Sequence, residues 1–183
     1  MPIERVVIEN FKAFRHLDLP LNPHMNLIVG DNEVGKSTLL NFLIGALPPA
    51  FTSTGEVWLG GVDITQLSIQ QRRLGILFQD DLLFPHLSLA ENLAFGLPPG
   101  LPRQERDGRL QAGLAEAELS GLGARDPASL SGGERARAAL IRTFLAEPKA
   151  LLLDEPFAKL DIALRERFRA LIFDRARSEE RRV

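Results

Sequence analysis

Three short segments of this 183-residue chain carry residue types suited to phosphate chemistry. The first is Gly30-Asp31-Asn32-Glu33-Val34-Gly35-Lys36-Ser37-Thr38, with two glycines, a lysine and two hydroxyls in close succession. Backbone N–H groups of such a loop wrap phosphates, and a helix N-terminus behind it adds the positive end of a dipole. Lys36 is spaced to reach the β- and γ-phosphates, and the Ser37 hydroxyl to ligate Mg2+. Asp31 and Glu33 oppose a bound polyanion unless their side chains face solvent.

The second segment is Ala150-Leu151-Leu152-Leu153-Asp154-Glu155. An aspartate at the C-terminal end of a strand can hold Mg2+, directly or through water. The adjacent glutamate can orient or activate an attacking water. By itself, a strand ending in two acids is simply a strand leaving the core. The third segment, Leu130-Ser131-Gly132-Gly133-Glu134, places two glycines at a helix start, where N–H groups are exposed and Ser131 can cap. In isolation it reads as an ordinary helix cap. The three together, in this order, describe a site that closes around ATP.

The elements that must position these residues are legible from pattern. Val6–Ile8, Leu17–Leu19 and Met25–Val29 read as strands, the last running directly into Gly30. Leu39, Leu40, Phe42, Leu43 and Ile44 continue as a helix after Lys36, which Gly45 and Pro48-Pro49 end. Glu56–Leu59 with Gly60-Gly61 reads as a strand and turn, and Leu74–Phe78 as a strand with Gln79 at its end. From residue 81 to about 130 the character turns helical. Ser88 starts a capped helix, Pro98, Pro99, Gly100 and Pro102 break the chain, and Arg103–Leu119 is a polar helix. A helix over Gly133–Ala146 follows, then a short buried strand over Ala150–Leu153. An amphipathic, heavily charged helix over Ile162–Arg182 comes last.

Composition bounds the rest. The length suits one compact domain with a sizeable core. Twenty-two basic against 24 acidic side chains leave a net charge of -2, which gives no general attraction to nucleic acid or anionic lipid. There are no cysteines, so disulfides, thiolate metal sites and cysteine nucleophiles are excluded, which suits the cytoplasm. No apolar run approaches the roughly 20 residues that span a bilayer, and the N-terminus carries no secretory signal. Any membrane role therefore comes through a partner.

The set resembles the nucleotide-binding subunit of ATP-binding cassette (ABC) transporters, bacterial importers above all. Gly30–Thr38 matches that family's Walker A loop, Ala150–Glu155 its Walker B strand, and Leu130–Glu134 its signature, with Glu134 where glutamine is commoner. Gln79 matches the Q-loop and Leu160-Asp161 the D-loop. Leu82–Asn92 is similar to the importer segment where a helical subdomain meets the membrane subunit. The resemblance implies an α/β P-loop NTPase core, over residues 1–80 and 131–183, with an antiparallel β edge and a helical subdomain over 81–130. It implies a head-to-tail homodimer around two ATP molecules, an ATPase peripheral to the cytoplasmic face of the membrane, and a transmembrane permease as partner. Gly30, Asp31, Asn32, Glu33, Val34, Gly35, Lys36, Ser37 and Thr38 would hold the nucleotide in one copy. Ser131, Gly132 and Gly133 would reach it from the other. Ser37 and Gln79, with Asp154 behind them, would hold Mg2+, and Glu155 would orient the water with Gln79 nearby.

Two departures shape these expectations. Ile8-Glu9-Asn10-Phe11-Lys12-Ala13-Phe14 and Gly30-Asp31-Asn32-Glu33 are similar to the heads of SMC-, RecF- and Rad50-like DNA-repair ATPases, an alternative reading along with a truncated or composite chain of weak turnover. Phe11 or Phe14 would supply the adenine-stacking aromatic, since the chain has no tyrosine. The family also places a histidine one strand beyond the D-loop helix. Here the histidines are His16, His24 and His86, all far upstream. The resemblance thus implies a C-terminally truncated core, with His86 as a surface or interface residue.

Overall fold

The computed structural model describes the backbone of residues 3–11, 14–20, 36–46, 54–78, 82–153 and 162–180. The chain divides into two compact units, Met1–Leu74 with Phe173–Val183, and Gly75–Ile172.

In the first unit a four-stranded antiparallel sheet has the order β2-β1-β3-β4, with β1 Ile3–Phe11, β2 Phe14–Pro20, β3 Thr54–Leu59 and β4 Val62–Asp63. The β-branched run at Val6, Val7 and Ile8 favours extended backbone. The strand it seeds is longer than expected, because β1 pairs on both sides: Val6 stands opposite Leu19 of β2 and Val57 of β3. Val6 and Val57 are both buried. Gly60 and Gly61, both at positive φ, turn β3 into β4, a strand the sequence pattern did not announce. Helix α1 runs over Lys36–Ile44 and buries Leu39, Phe42, Leu43 and Ile44. The short helix α2, Ile69–Arg72, was likewise not foreseen.

The second unit is built on helices α3 (Leu89–Gly96), α4 (Arg103–Glu116) and α5 (Gly132–Leu145), which pack on one another. Strands β5 (Leu74–Leu77) and β6 (Ala150–Leu153) pair as a two-stranded sheet, and Leu77, Leu151 and Leu153 join the same core. That core gathers Leu89 and Leu93 of α3, Leu114 of α4, and Ala138, Ala139, Leu140 and Ile141 of α5. Small residues let the backbones approach: a Cβ on Gly113 would stand 3.0 Å from Ile141, and one on Gly75 would stand 2.8 Å from Thr143. β6 is half-buried rather than fully buried. Helix α6 spans Ile162–Glu180 and contributes Phe168 to this core. Among the described residues, no helix is long and apolar enough to cross a membrane.

Candidate functional site

Helix α1 begins at Lys36, so Lys36, Ser37 and Thr38 form its first turn. That turn contains no acid, which leaves the N-terminal N–H groups and the positive dipole end unopposed within it. A lysine, two hydroxyls and the N–H groups of a helix start are a donor set that fits a phosphate-bearing ligand.

The opposite end of α1 is secured by a residue the motifs did not indicate. Gly45 adopts φ +80°, the N–H of Gly45 donates to Phe42 O at 3.0 Å, and that of Ala46 donates to Asn41 O at 2.8 Å. This is a Schellman closure, which satisfies carbonyls left over at a helix end. The Arg72 guanidinium adds to it. Nη1 donates to Phe42 O at 2.9 Å and to Leu43 O at 2.5 Å, Nε donates to Leu67 O at 3.1 Å, and Nη2 donates to Thr65 O. Arg72 is buried, and burial pulls the pKa of its guanidinium below the ordinary arginine value. A cation at the negative dipole end is favourable. Sequence reasoning missed it because its acceptors are backbone carbonyls, which carry no residue signature.

Ser131 is the N-cap of α5, and Gly132 and Gly133 are that helix's first two residues. Its N–H and hydroxyl both donate to Glu134 Oε2, at 2.7 and 2.8 Å, and its Oγ accepts from the Glu134 N–H at 3.3 Å. The Ser131 N–H and hydroxyl hold the Glu134 carboxyl below its ordinary pKa. Arg135 reinforces the turn by donating from Nη1 to Leu130 O at 2.5 Å. A hydroxyl, two glycines and a helix N-terminus thus lie together, with Ser131 exposed and the glycines half-buried.

The segment after residue 81 forms an apolar, aromatic surface. Phe84 meets Phe95 edge-on with centroids 4.7 Å apart, and His86 lies exposed with its ring 6.0 Å from Phe84. Phe95 is 68% and Leu82 58% exposed. Behind this surface Asn92, fully buried, accepts the Phe84 N–H at 2.8 Å and donates to the carbonyls of Phe84, Leu87 and Ser88.

Gly30–Gly35, Gln79, Asp154 and Glu155 lie outside the described residues, as do His24 and the D-loop pair Leu160-Asp161. β6 ends at Leu153, the residue before Asp154. Phe11 and Phe14 stand opposite each other where β1 passes to β2. No cluster of three or more metal-ligating acids, histidines or cysteines occurs among the described residues.

Comparison with known proteins places this geometry in a family. The sequence profile described as ABC transporter matches residues 15–158. An uncharacterized ABC transporter ATP-binding protein of Escherichia coli is 48% identical over 82% of this chain and 70% of its own length. The sulfate/thiosulfate import ATP-binding protein CysA of Gloeobacter violaceus is 40% identical over 88% of this chain and 46% of its own length. The Fe(3+) ions import ATP-binding protein FbpC 1 of Rhizobium meliloti is 40% identical over 88% of this chain and 46% of its own length. The chain therefore spans about half the length of these two importer proteins. By profile and similarity, the chain belongs to the ABC transporter family as an ATP-binding ATPase domain.

Proposed function

We propose that this chain powers an importer-type transmembrane permease by closing with a second copy around ATP. The observation that carries the reading is the organisation of α5: Ser131 caps a full-length helix whose first two residues are glycines. Such an end offers backbone N–H groups and the positive end of a helix dipole to an anion. It suits a γ-phosphate presented by a partner.

In this reading the Gly30–Gly35 loop and the first turn of α1 hold the phosphates, and Lys36 offsets the charge on the β- and γ-oxygens. Ser37 and Gln79 would hold Mg2+, with Asp154 behind them; hydroxyl, amide and carboxylate oxygens are the ligands a hard cation takes. Mg2+, when bound, supplies charge neutralisation across the transferring phosphate. Glu155 orients the attacking water and takes up its proton. Ser131 and Gly133 of the other copy complete the site. Residues 81–130 serve as the helical subdomain, and the surface made by exposed Leu82 and Phe95 with half-buried Phe84 meets the permease at the cytoplasmic face. The import functions printed for CysA and FbpC favour the inward direction. A net charge of -2 gives nucleic acid no purchase.

Two variants test this. Lys36→Ala is expected to abolish ATP binding, and unchanged affinity would remove the phosphate-loop assignment. Glu155→Gln is expected to keep ATP binding while accumulating an ATP-dependent dimer by light scattering. A variant that binds ATP and stays monomeric at high concentration overturns dimer closure.

A further inference from the structure

Within the second unit, we infer that Arg142 is a positioning residue that couples the signature helix to the permease-facing segment. It gives Ser131 a route to that surface separate from Gln79. The inference rests on the closure reading above.

Arg142 lies in the last turn of α5, at the end remote from Ser131. Its guanidinium leaves the helix and enters the 82–92 segment. Nη2 donates to Leu82 O at 3.0 Å, Nη1 stands 3.5 Å from Asn92 Oδ1, and the cation sits 5.3 Å from the Phe84 ring centroid. Partial burial pulls its pKa below the ordinary arginine value, but an arginine stays charged at any working pH. Asn92, from α3, holds Phe84, Leu87 and Ser88 through their backbones. The backbone of the permease-facing segment is therefore gripped by two side chains, one from α3 and one from α5.

The grip is stiff. A Cβ on Gly96 of α3 would lie 2.3 Å from the Arg142 carbonyl oxygen, so α3 and α5 touch backbone to backbone there. Close-packed elements pass displacement on rather than absorbing it. A tilt of α5 imposed at Ser131 by a bound phosphate must then move Leu82 and Phe84 with it. The chemistry needs arginine: a planar guanidinium stacks on a ring while donating from separate nitrogens, which a lysine ammonium cannot do.

The test is hydrogen exchange followed by mass spectrometry on the full chain, with and without the non-hydrolysable analogue AMP-PNP and Mg2+, at concentrations where the dimer forms. In wild type, nucleotide is expected to slow exchange in both the 131–135 and 83–88 segments, by about fivefold or more. In Arg142→Gln the first response is expected to persist and the second to vanish, whatever the baseline exchange. A persistent 83–88 response in Arg142→Gln overturns the inference. So does a wild type in which only 131–135 responds, and that result leaves dimer closure standing. If neither segment responds in wild type, the closure reading fails and takes this inference with it. Should Arg142→Gln lose both responses, Arg142→Lys decides: it keeps charge and stem, so it is expected to retain the 131–135 response and weaken the other. Loss of both in Arg142→Lys makes the residue merely structural and overturns the coupling role.

Discussion

Ser131 and Glu134 cap the signature helix reciprocally: the serine N–H and hydroxyl donate to one glutamate oxygen at 2.7 and 2.8 Å, while the glutamate N–H donates back to the serine hydroxyl at 3.3 Å. The hydroxyl thus has a structural task besides any contact with a partner's nucleotide. Two substitutions separate the tasks. Ser131→Ala removes the cap and is expected to cost about 1 kcal/mol in urea unfolding. Ser131→Asp keeps an oxygen that accepts from the Glu134 N–H, but it loses the hydroxyl donor to the Glu134 carboxylate and places an anion where a γ-phosphate would arrive. It is expected to unfold about as easily as Ser131→Ala while forming no ATP-dependent dimer in the Glu155→Gln background. A normal dimer in Ser131→Asp would contradict the trans role of the signature.

The same bonds predict an acid-sensitive contribution to stability. The Ser131 N–H, then its hydroxyl, lower the folded pKa of Glu134 below 4.5. In the matching box on α3, the Ser88 hydroxyl, then its N–H, lower that of Glu91 below 4.5. A depressed carboxylate stabilises the fold fully above its unfolded pKa and stops doing so as pH falls through the folded value. The urea midpoint should therefore drop as pH goes from 6 to 3. The double variant Glu91→Gln, Glu134→Gln, which keeps the capping acceptors but cannot titrate, should show a shallower drop. Identical slopes would show that other carboxylates carry the acid response.

Arg72 anchors α1 from the end opposite Lys36, so its loss should be felt along that helix. Arg72→Ala strips four backbone carbonyls of a charged donor in a buried position. A cost of about 3 kcal/mol in chemical denaturation is expected. Arg72→Lys, with one donor point, should recover only part of it. Gly45→Ala meets both an unfavourable φ of +80° and the Arg72 guanidinium at 3.0 Å, and about 1–2 kcal/mol is expected. A neutral Arg72→Ala would mean that the Schellman closure alone suffices.

Two helical glycines should respond in opposite directions. Gly96→Ala forces a methyl to 2.3 Å from the Arg142 carbonyl oxygen, where only backbone movement can relieve it, and should cost about 3 kcal/mol. A Cβ on Gly108, within α4, meets nothing within 4 Å. Gly108→Ala should stabilise by up to about 1 kcal/mol through helix propensity and reduced unfolded-chain entropy. Thermal unfolding of the two variants side by side checks both signs.

The family and most element positions were legible in the sequence because the signals are local. β6 falls at Ala150–Leu153 as expected, α1 ends at Gly45, and Ser88 caps α3. Helix α5 begins at Gly132, one residue before expectation, and Ser131 caps it as the sequence indicates. The spacing of Gly30, Gly35, Lys36, Ser131 and Gly133 is a local signal of the same kind, and it carries the phosphate-site reading. Local features betray themselves because cap, turn and periodicity are set within a few residues of the chain.

What only the tertiary structure decided are the anchors. Nothing near Arg72 in sequence marks Phe42 and Leu43, 30 and 29 residues away, as its acceptors. Arg142 reaches Leu82 across 60 residues, and Asn92 meets it at a distance of 50. Those acceptors are mostly backbone carbonyls, chemically alike at every position. Which of them faces a given guanidinium depends on how helices and loops pack, and packing emerges only when the whole core closes.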